Sequence, residues 1–463
     1  MLAAIGICFE LGVSGTAGGV SGVLLLALGG AQKTLRSPAL AREDLSYNKH
    51  FIMAVKRSTE HAILQARGLN RKIGVRIPSP EGKIQSEEAF VSNRSWGFLC
   101  WACVVAFLIL ILSPVPFHAA PQQGSGYHLI RNIPLGGEGS WDYITVDPDA
   151  KRIYIPRTTH VMVLDEVTGK VLADIPNLKG LHGVAVAPEF NRGFATGNDP
   201  KGVITVFDLK TFQITGTLPS TGDDADGILY DPASKRVFVN NGNAHNGTAI
   251  DAATAKVVGN IALNSEPEGA VADGKGSIFV NIVDKSEMVE YDTKTLAIKN
   301  RWPAAPCNRA VGLSMDRVHR RLFIGCQNEN NAVHDDSGTT FKNLLVVMNA
   351  DNGKVVASMP IGIGTDGTAY DPGTGDVFVT CRDSGDGKSG ATYVFHQDSP
   401  DQYRKVAQVS TIYGARTISL DPKTHHIFSI STENNDPVPP TAANPNPRPR
   451  PVLSTFMVVE VGK

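Results

Sequence analysis

One phrase recurs along this chain. It reads "SWDYITVDPDAKRIYIPR" from Ser140, "DADGILYDPASKRVFVNN" from Asp224, "GTDGTAYDPGTGDVFVTC" from Gly364 and "GARTISLDPKTHHIFSIS" from Gly414. A phrase returning at a period of about 40–50 residues marks an array of similar units. Such a unit buries its apolar faces only against its neighbours, so the array must stack or close on itself.

From residue 127 the chain divides into seven units. Each begins with a polar residue and a short apolar strand. A turn follows, at Asp147-Pro148, Ala187-Pro188, Asp231-Pro232, Asp273-Gly274, Asp371-Pro372 and Asp421-Pro422, with "SMDRVHRR" in unit five. Asp and Pro suit the first two positions of a type I turn. A second strand then centres on an aromatic: "RIYIP", "RGFAT", "RVFVN", "SIFVN", "RLFIG", "DVFVT" and "HIFSI". A third strand, a "D-x-x-T-x-K" turn and a fourth strand complete the unit. Four short strands per repeat predict an all-β, seven-bladed propeller of four-stranded blades. The last unit ends after its third strand, "TFMVVEV", while "HLIRNIPLGG" (His128–Gly137) resembles a fourth strand. Residues 128–135 are therefore expected to complete blade seven and remove the open edge.

The first 120 residues do not share the repeat. Residues 98–112, "FLCWACVVAFLILIL", are uninterruptedly apolar, with Asn93-Arg94 before them and "SPVPFHAA" after. Basic flank, short apolar core and small-residue end are the order of a secretory signal. The run is shorter than the roughly 20 residues of a spanning helix. The segment 96–120 reads as a signal peptide or a membrane anchor through 98–112, and the propeller as 121–463. Residues 1–95 read as an extension, disordered or arising from a misassigned start near Val91. A second apolar segment at 3–31 is the alternative.

Net charge is -1 over 463 residues and charged residues are 19% of the chain. No basic stripe appears, so no nucleic-acid partner is expected. No G-x-S-x-G, P-loop, H-E-x-x-H or haem-attachment motif is present, which leaves several enzyme classes without support.

Chemistry in a propeller gathers where the innermost strands meet the mouth of the central channel. The residues just before each first strand are Asp142, His182, Asp226, Glu268, Arg309, Asp366 and Arg416. A Tyr or Phe follows 11 or 12 residues later in six units and 14 later after Arg309. These seven are the candidate ligand-binding ring. Asp142, His182, Asp226, Glu268 and Asp366 carry the donors a divalent metal takes. Alternatively His182 is a general base, with Arg309 or Arg416 fixing a carboxylate or a developing anion. The third reading is a charge-paired channel lining. Distant members of so wide a ring need a water or ligand between them. Longer loops at 327–342, 382–390 and 432–452 are expected on the same face, where binding usually lies.

Six cysteines stand at 8, 100, 103, 307, 326 and 381. Folding "CNRAVGLSMDRVHRRLFIGC" as a hairpin brings Cys307 to Cys326, and an exported protein permits the disulfide. Cys381 occupies the equivalent place in blade six without a partner.

The repeat "DP-x-x-x-R-x-F-V … V-x-V-x-D-x-x-T-x-K-V" resembles that of the YVTN-repeat, YncE-like seven-bladed propellers, exported proteins common in bacteria. The resemblance covers residues 127–463. It implies fold and export to the periplasm or beyond, and it is less informative about function, since related propellers include binding proteins, lyases, lactonases and redox enzymes. The sequence reading is a monomeric binding module for a small molecule, a polymer or an envelope protein. Its alternative is a lyase or lactone hydrolase with a His/Arg/carboxylate site, with or without a metal.

Overall fold

The computed structural model describes residues 125–198, 201–328, 343–436, 439, 441 and 449–463, and the backbone of 333–334 and 340–341. The expectations for residues 1–120 lie outside these, as do most of loop 327–342 and about half of loop 432–452. Among the described residues there are seven four-stranded antiparallel sheets, two two-stranded ribbons and no α-helix. The first strands are Thr145–Asp147, Leu181–Ala187, Ala225–Asp231, Pro267–Ala272, Ala310–Asp316, Ile363–Asp371 and Ser419–Asp421. Blades one to six each run in sequence order from first strand to fourth.

Blade seven is built from both ends of the repeat region. His128–Pro134 pairs antiparallel with Met457–Gly462, which pairs with His426–Ser431. The ring is thus closed by the N-terminal strand, as the repeat predicts.

The repeated letters do identifiable work. Asp231 accepts hydrogen bonds from the Ala233 and Ser234 amides, and Asp147 from those of Asp149 and Ala150. Asp316 does the same for Val318 and His319, so unit five keeps the turn's aspartate without its proline. In the "D-x-x-T" turns, Asp165 caps Thr168, and Asp208, Asp251 and Asp292 cap Thr211, Thr254 and Thr295. Alternating apolar residues then bury both faces of each blade. Tyr154, Val161 and Val163 of blade one pack on Leu181, Val184, Ala195 and Phe207 of blade two. Phe378 and Val394 of blade six pack on Ile427 and Val461 of blade seven. Each such side chain contributes about 1.5–3 kcal/mol of burial.

A basic residue at the start of the second strand fastens neighbouring blades at their outer turns. Arg152, Arg192 and Arg236 donate to carbonyls of Leu209, Ala252 and Thr293 in the next blade's "D-x-x-T" turn, and Arg321 reaches Pro400. Blade seven has no such turn, because its fourth strand comes from the other end. There the charge is inverted. Asp376 stands in the arginine's place and accepts from Tyr127 Oη at 2.6 Å, with Lys463 Nζ at 3.4 Å.

Candidate functional site

The mouth is made by a repeated irregularity. In blades two, three and four the pairing of first and second strands slips between Leu181 and Val184, Ala225 and Ile228, and Pro267 and Ala270. The bulged pairs are His182-Gly183, Asp226-Gly227 and Glu268-Gly269. A bulge re-aims a side chain away from the sheet. The following glycine lets the innermost backbones approach each other. A Cβ on Gly269 would stand 2.3 Å from the Val311 carbonyl oxygen.

The same register corrects the placement of Arg309. In blade five the slip falls between Ala310 and Leu313, so Val311-Gly312 is the bulged pair. Val311 is buried. Arg309 lies two residues earlier and is exposed. Its longer spacing to the aromatic is the trace of this offset. The other six candidates occupy equivalent positions, although His182, Asp226, Glu268 and Asp366 lie inside their strands rather than before them.

Each ring position is braced by its neighbour. The Tyr143 amide donates to the His182 carbonyl at 3.1 Å. Thr196 Oγ1 donates to the Asp226 carbonyl at 2.7 Å, and Asn240 Nδ2 to that of Glu268. Asn281 Nδ2 donates to the Val311 and Gly312 carbonyls, both at 3.0 Å. Gln327 Nε2 donates to the Thr365 carbonyl and, at 3.0 Å, to Asp366 Oδ1. Thr380 Oγ1 donates to the Arg416 carbonyl, and Thr417 Oγ1 returns to that of Asp142. Thr196, Asn240, Asn281 and Thr380 all stand two residues after the second-strand Phe.

Two clusters form. On blades one to three, His182 Nδ1 lies 2.8 Å from Asp142 Oδ2 and 3.3 Å from Asp226 Oδ1. On blades six and seven, Arg416 Nε lies 2.7 Å from Asp366 Oδ2. Glu268 joins neither and instead accepts from Tyr143 Oη at 3.0 Å. Tyr143 stands where blades two to six carry glycine, and it reaches across the channel from blade one to blade four. Below it is a cavity of about 160 Å³ lined by Gly183, Gly227, Gly312 and Gly367 among others.

Crowding of carboxylates governs the electrostatics. Burial first, then the Asp142 charge, pushes Asp226 up to about 7, with His182 pulling the other way. Burial and the Asp226 and Asp366 charges hold Glu268 well above the usual carboxylate range. Burial raises Asp366 to about 6 against the pull of Arg416, Arg382 and Arg309. Burial and Glu268 hold the Tyr143 phenol well above its ordinary value. Burial disfavours charge on His182, but Asp142, Asp226 and Asp224 push it up to about 9. The local geometry opposes that charge. Asn198 Nδ2 stands 2.7 Å from His182 Nε2 and 2.6 Å from Asp224 Oδ1, donating to both. A nitrogen that accepts a hydrogen bond carries no proton. With this amide orientation the ring is neutral and protonated at Nδ1, and charging it requires Asn198 to turn.

Sequence reasoning missed Tyr143, Asn198, Asp224 and Arg382. Tyr143 was legible as the bulky letter where other units have glycine. Asn198 and Arg382, like Gln327, stand four residues after the second-strand Phe, and Asp224 two before Asp226, but the residue type at these places varies from unit to unit. Cys307 and Cys326 are joined, with their Cα atoms 5.3 Å apart, and Cys381 is buried and free.

No protein-family model and no curated protein matches the chain. Solved structures do match. The WD40 repeats of RRP9 align with a TM-score of 0.55 at 8% identity, over 72% of this chain and 97% of that one. U3-55K aligns at 0.56 and 8% identity, over 71% and 97%. A chain of Kuenenia stuttgartiensis hydrazine synthase aligns at 0.52 and 17% identity, over 62% and 91%. Identities this low establish shared propeller architecture with WD40-like neighbours, and nothing finer.

Proposed function

We propose that this is an exported propeller of the YVTN type that acts as a binding module, taking a carboxylate-bearing small molecule at the channel mouth. The observation that supports this is the division of charge around the mouth. Asp142, Asp224, Asp226 and Glu268 belong to blades one to four and their connections, whereas Arg309, Arg382 and Arg416 belong to blades five to seven. All three arginines act on the half-buried carboxylate of Asp366. Guanidinium groups converging on a partly desolvated mouth suit a carboxylate. The export signal read at 96–120 supports a site of action outside the cytoplasm.

Citrate, succinate and malonate are the probes. Calorimetric titration is expected to give one saturable site for at least one of them, weakened by Arg309→Ala and by Arg416→Ala with the fold intact. Absence of binding by all three, or binding indifferent to both substitutions, overturns the reading.

The enzymatic alternative is favoured by one observation, the Asp142–His182 pair, which resembles an oriented general base. It requires an accessible Nε2, and in this arrangement Asn198 occupies that nitrogen. Turnover of a lactone substrate abolished by His182→Gln would favour catalysis over binding.

A further inference from the structure

We infer that Asp142, His182 and Asp226 form a site for one divalent transition-metal ion, with Zn²⁺ or Mn²⁺ preferred over Ca²⁺ and Mg²⁺. The argument does not depend on the carboxylate ligand proposed above. It rests on the donor set, its geometry and a buried carboxylate oxygen that accepts no hydrogen bond.

One imidazole nitrogen and two carboxylate oxygens lie within 4.8 Å of one another. A tetrahedral zinc ion, with bonds of about 2.0–2.1 Å, separates its donor atoms by roughly 3.3 Å. His182 Nδ1 and Asp226 Oδ1 are 3.3 Å apart, and His182 Nδ1 and Asp142 Oδ2 2.8 Å. Both distances from His182 Nδ1 are thus within about 0.5 Å of the zinc value, and the two carboxylate oxygens lie within 4.8 Å of each other. Hard ions such as Ca²⁺ and Mg²⁺ favour all-oxygen shells, whereas imidazole suits zinc and its neighbours.

Asp226 Oδ1 is inaccessible to solvent and accepts no hydrogen bond, facing His182 Nδ1 at 3.3 Å. A buried carboxylate oxygen that accepts no hydrogen bond is costly unless a positive charge meets it. Two carboxylates and one neutral imidazole balance a dication. The backbone on either side is fixed, since the Asp142, His182 and Asp226 carbonyls are the atoms held by Thr417, Tyr143 and Thr196. Three protein ligands at an open mouth leave a fourth position for water or ligand. Binding has one cost. The proton on Nδ1 must leave, and if it moves to Nε2, Asn198 must turn its amide and give up its bond to Asp224.

The test is titration of metal-stripped, purified protein with ZnCl₂ or MnCl₂ alone, followed calorimetrically and by native mass spectrometry. One equivalent of Zn²⁺ or Mn²⁺ is expected at the site. Asp142→Asn, His182→Gln and Asp226→Asn should each weaken it at least about tenfold, a loss typical even of groups that only support metal ligands. Asp223→Asn and Asp284→Asn remove exposed negative charges from the loops around the same mouth and should leave affinity within about threefold. Equal loss in all the carboxylate variants would mean diffuse attraction of cations and overturn the site. So would retention of Zn²⁺ and Mn²⁺ affinity in His182→Gln, or binding of neither ion by the wild type. X-ray absorption on the zinc-loaded wild type guards against misfolded variants: a shell without a nitrogen scatterer at about 2.0–2.1 Å refutes His182 as a ligand.

Discussion

Glu166 is buried where blade one meets blade seven, and its replacement by glutamine should stabilise the protein in a way that grows with pH. The residue is 5% exposed and its Oε2 has no hydrogen-bond partner. Its amide donates to the Lys151 carbonyl, and its own carbonyl accepts from Arg131. The side chain faces Asp421 of blade seven's Asp-Pro turn, with Glu460 beyond and Lys151 on its own blade. Burial, then Asp421, pushes the carboxyl up to about 8. Below about pH 4 the group is protonated in folded and unfolded chains alike, and its contribution is fully present. As pH rises towards 8 the unfolded chain ionises while the folded chain keeps its proton, so stability falls by about 1.4 kcal/mol per pH unit. The loss reaches about 3 kcal/mol at pH 7 and levels off above the folded value. Glutamine keeps the shape and the hydrogen-bond donor and cannot ionise. Urea denaturation of wild type and Glu166→Gln from about pH 4 to pH 9 is the assay. The variant should match wild type at the acid end and exceed it by a few kcal/mol at the alkaline end. A difference independent of pH, or a variant less stable at the alkaline end, would refute a protonated buried Glu166.

Three further outcomes follow from the geometry. Asp376→Ala leaves Tyr127, His396 and Lys463 without their common acceptor; a cost of about 3–5 kcal/mol and faster amide exchange in 128–134 and 457–462 are expected, and unchanged exchange there would show that the acid does not hold the closure. Removing the Cys307–Cys326 bridge, whose cysteines are 19 residues apart, should cost about 3 kcal/mol in chemical denaturation; a Cys307→Ala/Cys326→Ala variant as stable as wild type would count against it. Gly269→Ala drives a Cβ against the Val311 carbonyl, whereas a Cβ on Gly216 meets nothing within 4 Å; the first should lower the melting temperature and the second leave it nearly unchanged, and equal effects would contradict the close approach at the axis.

The fold was legible because the blades are made by letters with local jobs. Aspartate before a turn, an aromatic in the second strand and threonine three after aspartate each do the same thing in several units, so the repeat translates directly into strands. Even the closure was readable, since His128–Gly137 has the pattern of a fourth strand and the last unit lacks one. The site was only partly readable, and the error in blade five shows why. Aligning units on their charged letter selected Arg309, whereas aligning them on glycine selects Val311, next to Gly312. Backbone crowding at the axis fixes the glycine, while nothing in the packing requires a charge before it. Asn198, Asp224 and Arg382 were readable in position but not in role. Asn198 and Arg382 share the place four residues after the second-strand aromatic, where other units carry Thr158, Gly242, Val283, Gln327 and Thr432, so the period fixes the place and leaves the side chain open.

Ring members pair directly only with immediate neighbours. His182 meets Asp142 and Asp226 on the adjoining blades, and Asp366 meets Arg416 on the next. Members farther apart need an intermediary, as the width of a seven-fold ring dictates. Tyr143 supplies one such link from within the chain, since its hydroxyl crosses from blade one to Glu268 on blade four. That bridge gives Glu268 a partner, leaving the Asp142–His182–Asp226 group and the Asp366–Arg416 group as the two charged clusters of the mouth. A ligand spanning the two groups would meet a cation-seeking pole and an anion-seeking pole at once. A metal on the first pole would turn it from repelling a carboxylate to attracting one. The two proposals therefore make a joint claim: if both are correct, citrate should bind more tightly to zinc-loaded than to metal-free protein, and the gain should vanish in His182→Gln while the Arg416 contribution persists.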